Sequence, residues 1–151
     1  MNELGQLDMG FIAKEVPNAL MICTMAVNNE TGVYQDINLL DQTIRANNKD
    51  TAWMVDCVQE LGKTDLNLAK TSIDYAPFSG HKLYAPKGVG FMYIKETAAF
   101  TPFIAGGGQE SGLRSGTENL PGLAALNVIF SMLNTASEDT FTALKTLHLF
   151  R

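Results

Sequence analysis

Apolar positions along this chain fall into short, dense runs separated by polar clusters, the rhythm of buried strands alternating with half-buried helices. Leu20-Met21-Ile22-Cys23-Thr24-Met25-Ala26-Val27 is almost continuously apolar and ends abruptly at Asn28-Asn29-Glu30-Thr31-Gly32, which predicts a strand buried on both faces. Before it, Leu4 to Glu15 predicts a short helix ended by Val16-Pro17-Asn18. After it, Asp36 is placed to cap a helix to Asn47, with Ile37, Leu39, Leu40 and Ile44 available for the inner face. Thr51 to Val55 reads as the next strand and stops at Asp56, while Leu66 and Leu68 belong to a connector. Ile73 to Phe78 is a third strand, stopping at Ser79-Gly80-His81-Lys82. Val89 to Ile94 is a fourth, close enough in sequence to pair antiparallel with the third.

Thr97 to Gly116 has little periodicity and is rich in glycine, the character of a functional loop. Thr117 to Leu133 predicts a helix with a mostly apolar face, and Ser137 a cap for a last amphipathic helix from Glu138 to Phe150. Alternating strands and helices predict an α/β fold: a mostly parallel sheet flanked by helices, with residues 1–151 in a single domain. Ligands of such sheets bind outside the carboxyl ends of the strands. The polar clusters sit at those ends: Asn28-Asn29 after the first strand, Asp56 and Gln59 after the second, Ser79, His81 and Lys82 after the third. Lys82, on a tight connection, is expected to be held and partly desolvated, the condition that turns a lysine into a nucleophile or Schiff-base former.

Composition narrows the classes. An apolar fraction of 46% and a charged fraction of 18% belong to an ordinary globular protein, and a net charge of -5 without a basic run argues against nucleic acid. Cys23 and Cys57 lie inside apolar runs and read as buried thiols in a reducing compartment. No apolar run reaches membrane-spanning length and no leader pattern follows Met1, so the expected location is cytoplasmic. Gly62-Lys63-Thr64 ends like a phosphate loop, but Cys57 occupies the position of its first glycine. Neither Ser79 nor Ser115 has the flanking glycines of a nucleophile elbow, and two histidines, His81 and His148, give no zinc-ligand spacing.

A carboxylate and a lysine aimed at one crevice, beside an amide, a hydroxyl and an imidazole, suit pyridoxal 5'-phosphate. A lysine attaches that cofactor, and a carboxylate keeps its ring nitrogen protonated so that the ring is an electron sink. Four ordered blocks then resemble the cysteine desulfurases, of the class V branch of fold-type I pyridoxal-phosphate enzymes. They are Val27 to Gly32, Val55 to Lys63, Ser79 to Gly90, and the glycine-rich Gly106 to Asn119.

The resemblance implies that Lys82 is the Schiff-base lysine and Asp56 the partner of the pyridinium nitrogen. It implies that Gln59 hydrogen-bonds the phenolic oxygen, that Ser79 and His81 hold the phosphate, and that Asn29 lies near ring and substrate. Thr117 would reach the phosphate of a partner subunit's cofactor, which implies a homodimer. The implied substrate is L-cysteine, converted to L-alanine with persulfide sulfur passed to an acceptor protein for iron–sulfur cluster or thio-cofactor synthesis. Members of that family are considerably longer, so the resemblance also implies the central part of a large domain, without the small domain, the sulfur-accepting cysteine loop or the upstream phosphate loop. Ala26, Ala85 and Ser111 stand where the family usually has histidine, glycine and arginine. The chain by itself is therefore expected to be inactive. Another class V reaction, transamination or selenocysteine lysis, and a non-catalytic fragment that associates with itself or a partner are the alternatives.

Overall fold

A computed structural model describes residues 1–64 and 66–135. The expected helix from Glu138 to Phe150 lies outside the described residues. Four strands, β1 (Met21–Met25), β2 (Ala52–Asp56), β3 (Tyr75–Ser79) and β4 (Gly90–Ile94), form one sheet in the order β1-β2-β3-β4. The first three run parallel, and β4 returns antiparallel along β3. The sheet is therefore mostly parallel, as the alternation of runs implied.

Among the described residues three helices accompany it: α1 (Met9–Glu15), α2 (Ile37–Asn47) and α3 (Leu120–Thr135). Helix α1 begins at Met9 rather than Leu4 because the Asp8 carboxylate accepts from Phe11 N at 3.0 Å, while Asn2 folds the preceding residues into a separate turn. Asp36 caps α2 as expected, accepting from Leu39 N at 2.9 Å. Leu40 and Ile44 are buried and Ile37 partly so, but Leu39 points outward. Helix α3 opens where Asn119 Oδ1 accepts from Gly122 N at 3.1 Å.

Strand register decides which face is covered. Met21, Cys23 and Met25 pair with Ala52, Met54 and Asp56, and Met54 with Tyr75, so these side chains share one face. Trp53, Val55, Ala76 and Phe78 point the other way, into a core with Val16, Leu40 and Ile44. Phe78 stacks on Phe91 of β4 at 4.6 Å, and Phe130 of α3 meets Phe91 edge-on at 5.2 Å. All three helices thus lie on the core face among the described residues. Trp53 is fully buried with its indole N–H donated to Thr24 Oγ1 at 3.1 Å.

The opposite face corrects two expectations. β1 is not buried on both sides: Met21 and Cys23 are exposed, so Cys23 is not a buried thiol. The reason is that no described helix or strand packs on that side of β1, where Met1, Gly5 and Leu7 border the cavity beside Cys23, whereas the segment after β4 covers Tyr75, whose hydroxyl donates to the Ala99 carbonyl. The connection into β3 is pinned by Arg45, which donates from Nε to Ser72 Oγ at 2.6 Å and lies 3.6 Å from the Asp74 carboxylate. Asp74 in turn accepts from Trp53 N at 2.8 Å. These bonds stand in for ladder pairs between β2 and β3 and fix how far each strand's carboxyl end projects.

Candidate active site

The carboxyl ends of the parallel strands lie side by side at one edge of the sheet, and each presents a different chemistry. β1 leads into a turn that Asn28 closes, its Oδ1 accepting from Glu30 N and Thr31 N, both at 2.9 Å. β2 ends at Asp56, half-buried, whose Oδ1 accepts from Val58 N at 2.9 Å and is thereby oriented. A cavity of about 330 Å³ opens there, lined by Asp56, Asn28, Thr24, Gln35, Cys23 and Met54. Of the two neighbouring asparagines, Asn28 is on this wall and Asn29 is exposed on the turn.

Ser79 closes β3 on the same face as Asp56, because Met54 pairs with Tyr75 and the alternation carries Asp56 opposite Pro77 and Ser79 two residues beyond. The Cys57 N–H bond to the Pro77 carbonyl, 3.3 Å, holds that register. A single helical turn, Gly80–Leu83, then carries His81 and Lys82, both exposed. The expectation that Lys82 is desolvated is not met; the pressed lysine is Lys63.

Lys63 lies on the turn after β2. Burial pushes its ammonium below the usual lysine range, the neighbouring charge of Lys82 adds to this, and Glu60 opposes it. Its Nζ donates to the Gln59 carbonyl at 2.9 Å and to Gln59 Oε1 at 3.2 Å. Gln59, Lys63 and Lys82 therefore form one cluster. Glu60 is buried beside it and accepts from Thr64 Oγ1; burial raises its carboxyl above the ordinary range, with Thr64 and Lys63 partly offsetting this. Cys57, fully buried, is pushed up to about 12 by burial first and then by Glu60 and Asp56. It is a packed thiol.

Thr117 lies in a second cleft of about 360 Å³, with Gly88, Gly90, Arg114, Asn119 and Leu123. It is exposed, on a wall continuous with β4, whose Gly90 pairs with Ser79. The glycine-rich segment before it is braced internally: Gln109 Oε1 accepts from Gly116 N at 3.0 Å, and Ser115 N donates to the Ile104 carbonyl at 2.9 Å. The residue order singled out the Asn28-Asn29 pair without deciding which of the two faces the cavity, and it gave Lys63 no role. Two local signals bear on Lys63: the Gly62-Lys63-Thr64 triplet and its place at the end of the Val55 to Lys63 block.

The donor set has the composition that pyridoxal phosphate requires: an oriented carboxylate at a cavity, a free-standing lysine, an amide, a hydroxyl and an imidazole on adjoining turns. Among the described residues no group of histidines, cysteines or carboxylates is placed to hold a metal, and no helix is long and apolar enough to cross a membrane.

The sequence matches the model of the aminotransferase class-V family over residues 1–147. It is similar to cysteine desulfurase 2 of Trichormus variabilis, 45% identical over 123 residues, which are 81% of this chain and 30% of that protein. Among solved structures, a NifS-like protein superposes with a TM-score of 0.79 at 39% identity, over 86% of this chain and 37% of that one. SspA, solved in complex with cysteine, superposes with a TM-score of 0.76 at 34% identity, over 83% and 37%. The chain spans about a third of the length of the relatives it matches.

Proposed function

Because the chain belongs to the class-V aminotransferase family, whose members use pyridoxal phosphate, we propose that it is the cofactor-holding centre of a cysteine desulfurase. The observation that carries this reading is that Asp56 and Ser79 share one face of the sheet, at the carboxyl ends of adjacent parallel strands, directly before the turn bearing Lys82.

When bound, pyridoxal phosphate supplies a sink for the electron pair left on the substrate's α-carbon. The chain's own residues divide the remaining work. Asp56, oriented by Val58 N–H, keeps a proton on the ring nitrogen. Ser79 and His81 hold the phosphate, and Lys82 anchors the cofactor through its ε-amine and moves the proton at the substrate carbon. Gln59 donates to the phenolic oxygen, Asn29 borders the ring, and Thr117 of one copy serves the site of a second in a homodimer. The substrate is L-cysteine, and its sulfur passes to an acceptor protein.

Neither cysteine described above suits the sulfur-accepting role, since Cys57 is buried and Cys23 is fixed within β1. Residues 1–151 by themselves are therefore proposed to take up the cofactor without turning over cysteine. The test is incubation of the chain with pyridoxal phosphate, borohydride reduction and peptide mass mapping. The added mass is expected on Lys82 and absent from Lys82→Ala. A chain that gains no adduct, or gains it at another lysine in preference, overturns the reading; alanine produced from L-cysteine by these residues alone overturns the inactivity.

A further inference from the structure

We propose that Lys63 is a positioning residue that fixes which end of the Gln59 side-chain amide faces the site; this rests on the cofactor reading above. Lys63 Nζ donates to the Gln59 carbonyl at 2.9 Å and to Oε1 of the same residue at 3.2 Å. An ammonium carries donors and no acceptor, so it tolerates only the oxygen end of an amide. With its oxygen engaged, Gln59 presents its NH2 group as a pure donor. That is the polarity needed by an anionic oxygen, and without Lys63 either end of the amide is available to it.

Lys63 is held for this task. Its own N–H donates to the Glu60 carbonyl at 3.0 Å, closing the turn from below. The preceding Gly62 has a φ of +77°, and a Cβ there would meet Leu83 at 3.2 Å and Leu133 at 3.3 Å. The turn bearing Lys63 is thus packed against the turn bearing Lys82, and the lysine's lowered proton affinity reflects the same enclosure. A cation spent on its neighbour's amide, in a spot that disfavours cations, has a role beyond solvation.

The experiment is a double-mutant cycle on the full chain with pyridoxal phosphate, read by dissociation constant and by the visible spectrum of the bound cofactor. Lys63→Met keeps the packing of the stem and is expected to weaken binding roughly tenfold, the size of one hydrogen bond to a charged acceptor. Gln59→Ala is expected to do the same, and the double variant to be no weaker than Gln59→Ala alone. Lys63→Arg keeps a donor-only cation and is expected to stay within about twofold of wild type. Should Lys63→Met not fold, Lys63→Leu, which also removes the donor but leaves a shorter apolar stem, is read in the wild-type and Gln59→Ala backgrounds instead. Additive losses, an unchanged Lys63→Met, or an arginine variant as weak as methionine overturns the inference while leaving the cofactor reading intact. A wild-type chain that binds no cofactor overturns both.

Discussion

Gly80 is the hinge between Ser79 and the turn that carries Lys82, and it leaves no room for a methyl group. A Cβ built there lies 2.8 Å from the Val89 carbonyl oxygen, 3.1 Å from Val89 Cγ1 and 3.2 Å from Ala85 Cβ. The first contact is with backbone, and with the very oxygen that accepts from Gly80 N at 2.9 Å, so relief costs a hydrogen bond. Overpacking of this kind costs about 1–3 kcal/mol and the weakened bond about 1, giving roughly 2–4 kcal/mol for Gly80→Ala. In a chain of this length that lowers the melting temperature by roughly 5–15 °C. Gly88, on the same connection, supplies the control. It has a φ of +86° with nothing within 4 Å of a Cβ, so Gly88→Ala costs about 1 kcal/mol from backbone conformation alone. Asparagine, which tolerates left-handed backbone, should cost less than alanine at 88 and more than alanine at 80. Thermal and urea melts of the four variants, with borohydride labelling of Lys82, measure this. A Gly80→Ala protein within about 0.5 kcal/mol of wild type, or the same order of alanine and asparagine at both sites, refutes the steric account.

The two thiols should separate cleanly. At about pH 8 a maleimide or disulfide reagent is expected to modify exposed Cys23 rapidly, whereas Cys57, buried and raised to about 12, holds only about one thiolate in ten thousand and reacts on unfolding; equal labelling of both in the folded chain contradicts the packing around β2. Glu60 gives a pH signature. Its folded-state affinity for a proton exceeds that of the unfolded chain, so its stabilising effect is complete below the ordinary glutamate range and is lost as pH rises through the raised value. Glu60→Gln should therefore match wild type in acid and be the more stable of the two at neutral pH, and urea midpoints that show the reverse order refute the assignment.

Much of this architecture is legible from residue order because its signals are local. A capping Asp36, an apolar run broken by two asparagines, and a second strand after a Pro-Lys-Gly turn each declare an element without reference to the rest of the chain. What escaped depends on partners distant in sequence. An apolar run such as Leu20 to Val27 does not say which of its faces receives a helix, and only the register with β2 makes Met21 and Cys23 the uncovered side. Leu39 and Leu40 are adjacent leucines, and the helix phase relative to Trp53 and Val16 selects the second. The roles of the two lysines were not separable either. The turn that carries half-buried Lys63 is packed because Leu83 and Leu133 come to lie against Gly62, 21 and 71 positions away in sequence, while Lys82 stands outward on its turn. Likewise, whether Asn28 or Asn29 faces the cavity is decided by the turn that Asn28 itself closes.

The strand order is also the chain order, and this bears on synthesis. Each of these four strands needs only its predecessor as a template, so this part of the sheet is able to grow strand by strand as the polypeptide leaves the ribosome. Asp56 and the residues around Lys82 would then be brought side by side as soon as the third strand docks, with the antiparallel return of the fourth locking that edge a few residues later.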